Sequence, residues 1–154
     1  PGASEAGVQP TLVSAAEHAN LGTRVFELRP SAFRSWAGVK DADEKGYLDQ
    51  MALFADRLTP GSKPLDIVWE IGLRDGYPLT ARIERLKMVG TNAVWRMTDD
   101  ASGRSFLACL DDLIKSKTVA SLGLTSANTF VCRDSALTDE LAANLALQCR
   151  LQTV

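Results

Sequence analysis

The residues able to do chemistry are few: one histidine, three cysteines, two Asp-Asp pairs and one Arg-Asp-Ser run. His18 lies in a weakly patterned N-terminal stretch. A serine-hydrolase triad needs its histidine beside a nucleophile on a strained turn, and no G-x-S-x-G occurs, so His18 reads as a surface residue. Cys109, Cys132 and Cys149 are odd in number and widely spaced, without a CxxC or HxxxH pair. They read as small buried hydrophobes in a reducing compartment, with the cytoplasm as default, rather than as a disulfide or metal site. Asp99-Asp100 falls in a turn, where aspartate bonds its own backbone. Asp111-Asp112 lies between a strand and a helix, so N-capping accounts for one member; a divalent ion would need further oxygen ligands at defined spacing. Neither G-x-G-x-x-G nor G-x-x-x-x-G-K-[ST] can be read. The most site-like cluster is Arg133, Asp134 and Ser135, at the C-terminal end of a strand, the edge where α/β sheets bind ligands. A turn cap with an Arg–Asp pair is the weightier reading of the same three residues.

The elements that must position these residues follow from periodicity. Residues 1–20 are rich in Ala, Gly and Ser and read as a flexible segment, with a short helix possible over Thr11 to Asn20. The ordered domain spans 21–154. Arg24-Val25-Phe26-Glu27-Leu28 alternates like a strand and Pro30 ends it, with Ser31 capping a short turn that carries Phe33 and Trp36. Tyr47, Met51, Phe54 and Leu58 recur at helical spacing and predict one helix. A second runs from about Leu65 to Leu73, closed by Gly76; its apolar residues point to several sides, which predicts burial between two layers. Residues 81–89 and 93–98 flank Gly90-Thr91-Asn92 as a hairpin, with a bulge near Glu84-Arg85 to restore the slipped alternation. Residues 105–110 read as a buried strand, Leu113 to Leu122 as a helix, 129–132 as another buried strand. Thr138 starts a last helix, and 151–154 closes as a strand. The expected fold is α/β: a mixed sheet of about five strands covered by helices, in a single domain.

Charge narrows the partners. With 17 basic and 19 acidic residues, the net charge is -2, and Arg82, Arg85 and Lys87 enclose Glu84, as on a solvated strand face. A domain holding DNA through its own surface is usually basic, so protein contact fits better than DNA contact. The apolar runs are too short to span a membrane, and no signal peptide is read. Trp36, Trp69 and Trp95 are candidate core or interface anchors, Trp69 for the core.

Several stretches together resemble the site-specific adenine-N6 DNA methyltransferases of bacterial type III restriction-modification systems, in their modification subunits. Arg24 to Leu28 with Ser31, Phe33 and Trp36 is similar to R-V-F-K-L…S-x-F-x-x-W. Leu65 to Leu73 resembles the D-L-L-x-E-x-L-L helix, Gly76-Tyr77-Pro78-Leu79-Thr80 matches G-x-P-L-T, and Val131 to Ala136 resembles V-F-R-D-S-A/G, with Asp139 and Gln148 in register. The matches cover roughly residues 24–154. Where the family carries Thr-Asn in the last helix, this chain reads Asn144-Leu145, so no role is carried over from that asparagine. The D-P-P-Y or N-P-P-[YF] clamp for a flipped adenine and the F-x-G-x-G turn for S-adenosylmethionine are both missing. The resemblance implies a non-catalytic C-terminal domain that binds no cofactor itself. Its implied partners are the parent's catalytic domain, a second copy, a restriction subunit, and DNA through the parent. Two other classes stay open: a stand-alone protein-interaction module of the same fold, and a small enzyme built on Arg133-Asp134-Ser135.

Overall fold

Near-continuous apolar runs over 106–109 and 130–132 dictate strands that must be covered on both sides, and the fold meets that demand with helices. The structure is a computed structural model that describes residues 24–35, 44–54, 56–86 and 89–154. In chain order the elements are α1 (Glu44–Phe54), α2 (Pro64–Arg74), β1 (Arg82–Arg85), β2 (Val94–Asp99), β3 (Arg104–Cys109), α3 (Ser116–Leu122) and β4 (Thr129–Cys132). A single 3-10 turn (Asp134–Ala136), α4 (Asp139–Gln148) and β5 (Arg150–Thr153) follow. The five strands form one open sheet in sequential order, antiparallel from β1 to β3 and parallel from β3 to β5. This is the expected mixed α/β architecture.

Two cores follow from the pleat. Met97, Phe106, Ala108 and Val131 face α2, whose Ile67, Val68 and Ile71 are buried against them. Leu107, Cys109, Phe130 and Cys132 face Val119 of α3 and Leu145 of α4. Gly72 permits the close approach of α2: a Cβ there would lie 2.2 Å from Met97 Sδ. Gly90, at φ +59°, lets the β1–β2 connection lie against α3, where a Cβ would meet the Thr118 Cα at 2.7 Å. Gly76, at φ +78°, turns the chain out of α2, with the Tyr77 N–H donating to the Gly72 carbonyl at 2.8 Å.

Several expectations are corrected. Residues 24–28 join no ladder; Arg24 reaches the carbonyls of Thr80 and Ala81, and beyond it the segment lies against α2, whose backbone groups are already paired. Phe26 meets Trp69 edge-on at 5.9 Å and Arg29 approaches Asp66 at 3.7 Å, so the segment runs along the helix toward its N-terminus. The helix expected through Leu58 stops at Phe54. Asp56 Oδ1 accepts the Leu58 N–H at 3.2 Å, and Leu58 pairs with Phe33 in an isolated antiparallel bridge. α2 is buried on one side, whereas Leu65 and Leu73 are exposed. No bulge interrupts β1. Its register with β2 is continuous, and the alternation slips because Ile83 packs with the α2 core while Leu86 packs with the opposite one. The third helix starts at Ser116, after Leu113, which is exposed. Thr138 caps α4 as expected, its side chain accepting the Leu141 N–H at 3.3 Å. His18, Trp36, Lys87 and the helix at 11–20 lie outside the described residues.

Candidate functional site

Arg133, Asp134 and Ser135 follow β4, at the C-terminal end of the parallel strands, but they do not converge. Arg133 turns inward, its side chain 19% exposed, and donates to Asp56 Oδ2 at 2.9 Å and to the Asp112 carboxylate. Its Nε is buried without a hydrogen-bond partner among the described residues. Asp134 is an exposed member of the 3-10 turn; its backbone N–H donates to the Val154 carbonyl at 3.2 Å. Ser135 is exposed as well. The Arg–Asp pairing that the sequence suggested therefore exists with different aspartates. Arg133 fastens the loop after α1 to the β3–α3 connection.

The acidic pairs also resolve into structural contacts. Asp99 accepts the Ser102 hydroxyl at 2.5 Å and the Ala101 N–H at 3.1 Å, and these bonds, Ser102's first, hold its carboxyl below the usual range. Asp111 does not cap α3. Its Oδ2 accepts the Asn92 side-chain N–H at 2.8 Å and the Ala93 N–H at 2.9 Å. Asn92 further accepts the Thr118 hydroxyl at 2.6 Å, so the hairpin turn is locked to α3 through one amide. The three thiols are free and buried; Cys109 and Cys132 are register neighbours whose burial pushes them up to about 11 and about 12. Among the described residues, no group of three or more His, Cys, Asp or Glu could hold a metal ion, and no helix is long and apolar enough to cross a membrane.

The polar contacts outside the sheet join segments far apart in sequence. The Arg24 guanidinium donates to the carbonyls of Thr80 and Ala81 at 3.2 and 3.0 Å. The Glu70 carboxylate accepts the Ser31 hydroxyl at 2.5 Å and the Ala32 N–H at 2.7 Å. On the same side of the sheet lie two clefts of about 870 and about 520 Å³ that share Asp75 and Gln152 in their walls. The larger is walled by Phe33, Tyr47, Met51, Arg57 and Arg74, and the smaller by Tyr77, Arg104 and Arg150. Sequence reasoning did not single out Arg57, Arg74, Arg104 or Arg150, because they are scattered along the chain. The available signal was positional: Arg74 ends α2, while Arg104 and Arg150 open β3 and β5. No protein-family model, curated protein or solved structure matches it.

Proposed function

We propose that this chain is a non-catalytic C-terminal domain of an adenine-N6 DNA methyltransferase of the type III restriction-modification kind. One observation carries the reading: segments that bear the resemblance, distant in sequence, are bonded to one another. The arginine of the R-V-F stretch donates to the carbonyl of Thr80, which ends the G-x-P-L-T stretch, and to that of Ala81 just after it. The serine of S-x-F binds the glutamate of the α2 stretch, Glu70. In this reading S-adenosylmethionine and the target adenine belong to the parent's catalytic domain, and the free thiols suit the cytoplasm.

The surface facing that domain is offered by residues 24–28. Val25 is 92% and Leu28 100% exposed, outside any ladder, which suits contact with another domain, a second copy or a restriction subunit. The same apolar edge would serve a stand-alone interaction module. Reading the gene upstream of Pro1 separates the two: a continuous frame with D-P-P-Y and F-x-G-x-G is expected. A frame containing neither motif overturns the proposal. Calorimetric titration of this chain with S-adenosylmethionine should give no heat of binding, and micromolar affinity would contradict the assignment of the donor site elsewhere.

A further inference from the structure

The net charge of -2 conceals an uneven distribution. Arg57, Arg74, Arg104 and Arg150 come from four separate segments, yet all line the two clefts that meet at Asp75 and Gln152. None of the four stands at ion-pair distance from a carboxylate among the described residues, as Arg29, Arg82, Arg96 and Arg133 do; outside the clefts Arg24 and Arg85 share that condition. Two of them are held by rings instead. Arg74 lies 5.0 Å over the Phe33 ring, and Arg104 lies 4.6 Å over the Tyr77 ring while donating to the Asp75 carbonyl at 3.0 Å. Stacking and a neutral carbonyl orient a guanidinium without neutralising it, so the positive charge stays available to a ligand.

Shape and lining say what kind of anion fits. The clefts adjoin at Asp75 and Gln152, and two adjoining open clefts suit a chain of anionic groups better than a single ion. The register places Arg150 beside Thr129 and Phe106 on the α2 side of the sheet, which puts its charge on the trough's floor. The smaller cleft is mainly polar. The larger also presents Tyr47 and Met51, an apolar wall beside the arginines. Regularly spaced phosphates with flat apolar groups hanging from them match that pairing of guanidinium and apolar surface. We infer that the arginine-lined trough beside β5 binds a single strand of nucleic acid, its phosphates on Arg57, Arg74, Arg104 and Arg150 and its bases against the Tyr47–Met51 wall. The inference stands on charge and shape, independently of the methyltransferase reading.

Fluorescence anisotropy of the 154-residue chain with a labelled 16-nucleotide oligo-dT tests it, across a salt series. Binding should weaken steeply with salt, by about 0.7 in the log–log slope for each phosphate neutralised. Arg57→Glu with Arg150→Glu should weaken binding tenfold or more, because both side chains are exposed and their replacement leaves the ring contacts intact. Arg57→Lys with Arg150→Lys should keep the salt slope. Arg85→Glu, an equal charge change per residue on the far edge strand β1, should leave affinity within twofold. Absence of binding at low salt overturns the proposal, as does equal weakening by Arg85→Glu. A poly-glutamate peptide of equal charge competing as well as oligo-dT also overturns it, and would assign the trough to an acidic protein.

Discussion

At the scale of single residues, burial decides which polar groups matter. Arg133 is largely enclosed and serves two carboxylates, whereas Asp112 is 88% and Asp56 48% exposed. Removing an exposed carboxylate returns little, since water replaces the lost partner; removing the arginine breaks both bonds at once. Arg133→Ala is therefore expected to lower stability by about 1–3 kcal/mol, and Asp112→Ala by less than about 1 kcal/mol. Asp134→Ala should stay within about 0.5 kcal/mol, because its side chain is exposed. Urea denaturation midpoints measure all three. A larger loss for Asp134→Ala than for Arg133→Ala would mean that the aspartate has a role beyond the turn.

At the scale of elements, the segment before α1 is the least conventional part of the fold. Residues 24–35 are held by side chains and by short pairings to 57–59, not by a sheet ladder. Glu70 is their central anchor, receiving a hydroxyl and a backbone N–H from consecutive residues. Glu70→Ala should release this segment while leaving the sheet intact. Hydrogen exchange would then speed up at Ala32 and Phe33 by about tenfold or more, with β3 and β4 amides unchanged. Uniform acceleration across the sheet would show instead that segment and core unfold as one unit. The contrast explains what the sequence made legible. β3 and β4 were readable because their apolar runs are nearly continuous, as in strands covered on both faces, and α4 because Thr138 and Asp139 mark its start. Residues 24–28 carry a strand-like alternation, but a strand needs an unpaired edge beside it, and what lies there is a helix. The β1 alternation misled because both faces of the sheet are covered, so Ile83 and Leu86 can both pack inward from opposite sides. Asn92 and Glu70 left no periodic trace, since each acts through long-range hydrogen bonds.

For the whole molecule, the buried thiols connect packing to pH. Cys109 and Cys132 sit side by side in the core under α3 and α4, and desolvation disfavours their thiolates, raising them to about 11 and about 12. In the unfolded chain each would ionise near about 8.5. Between these values the unfolded state has lost protons that the folded state still holds, so stability falls as pH rises. It is fully present below the unfolded value and is lost progressively toward the folded one. Each thiol contributes a slope of up to about 1.4 kcal/mol per pH unit. Tyr77, also raised by burial, acts in the same direction at higher pH. The urea midpoint should therefore drop between pH 8 and pH 10, and Cys109→Ala with Cys132→Ala should flatten that drop despite a lower midpoint at pH 7. Under the same logic both thiols should resist a thiol-specific reagent at pH 8 until denaturant unfolds the sheet. Rapid labelling of the native protein would mean that the layer of α3 and α4 opens without global unfolding, and the pH slope would then report a local equilibrium in place of the stability of the whole fold.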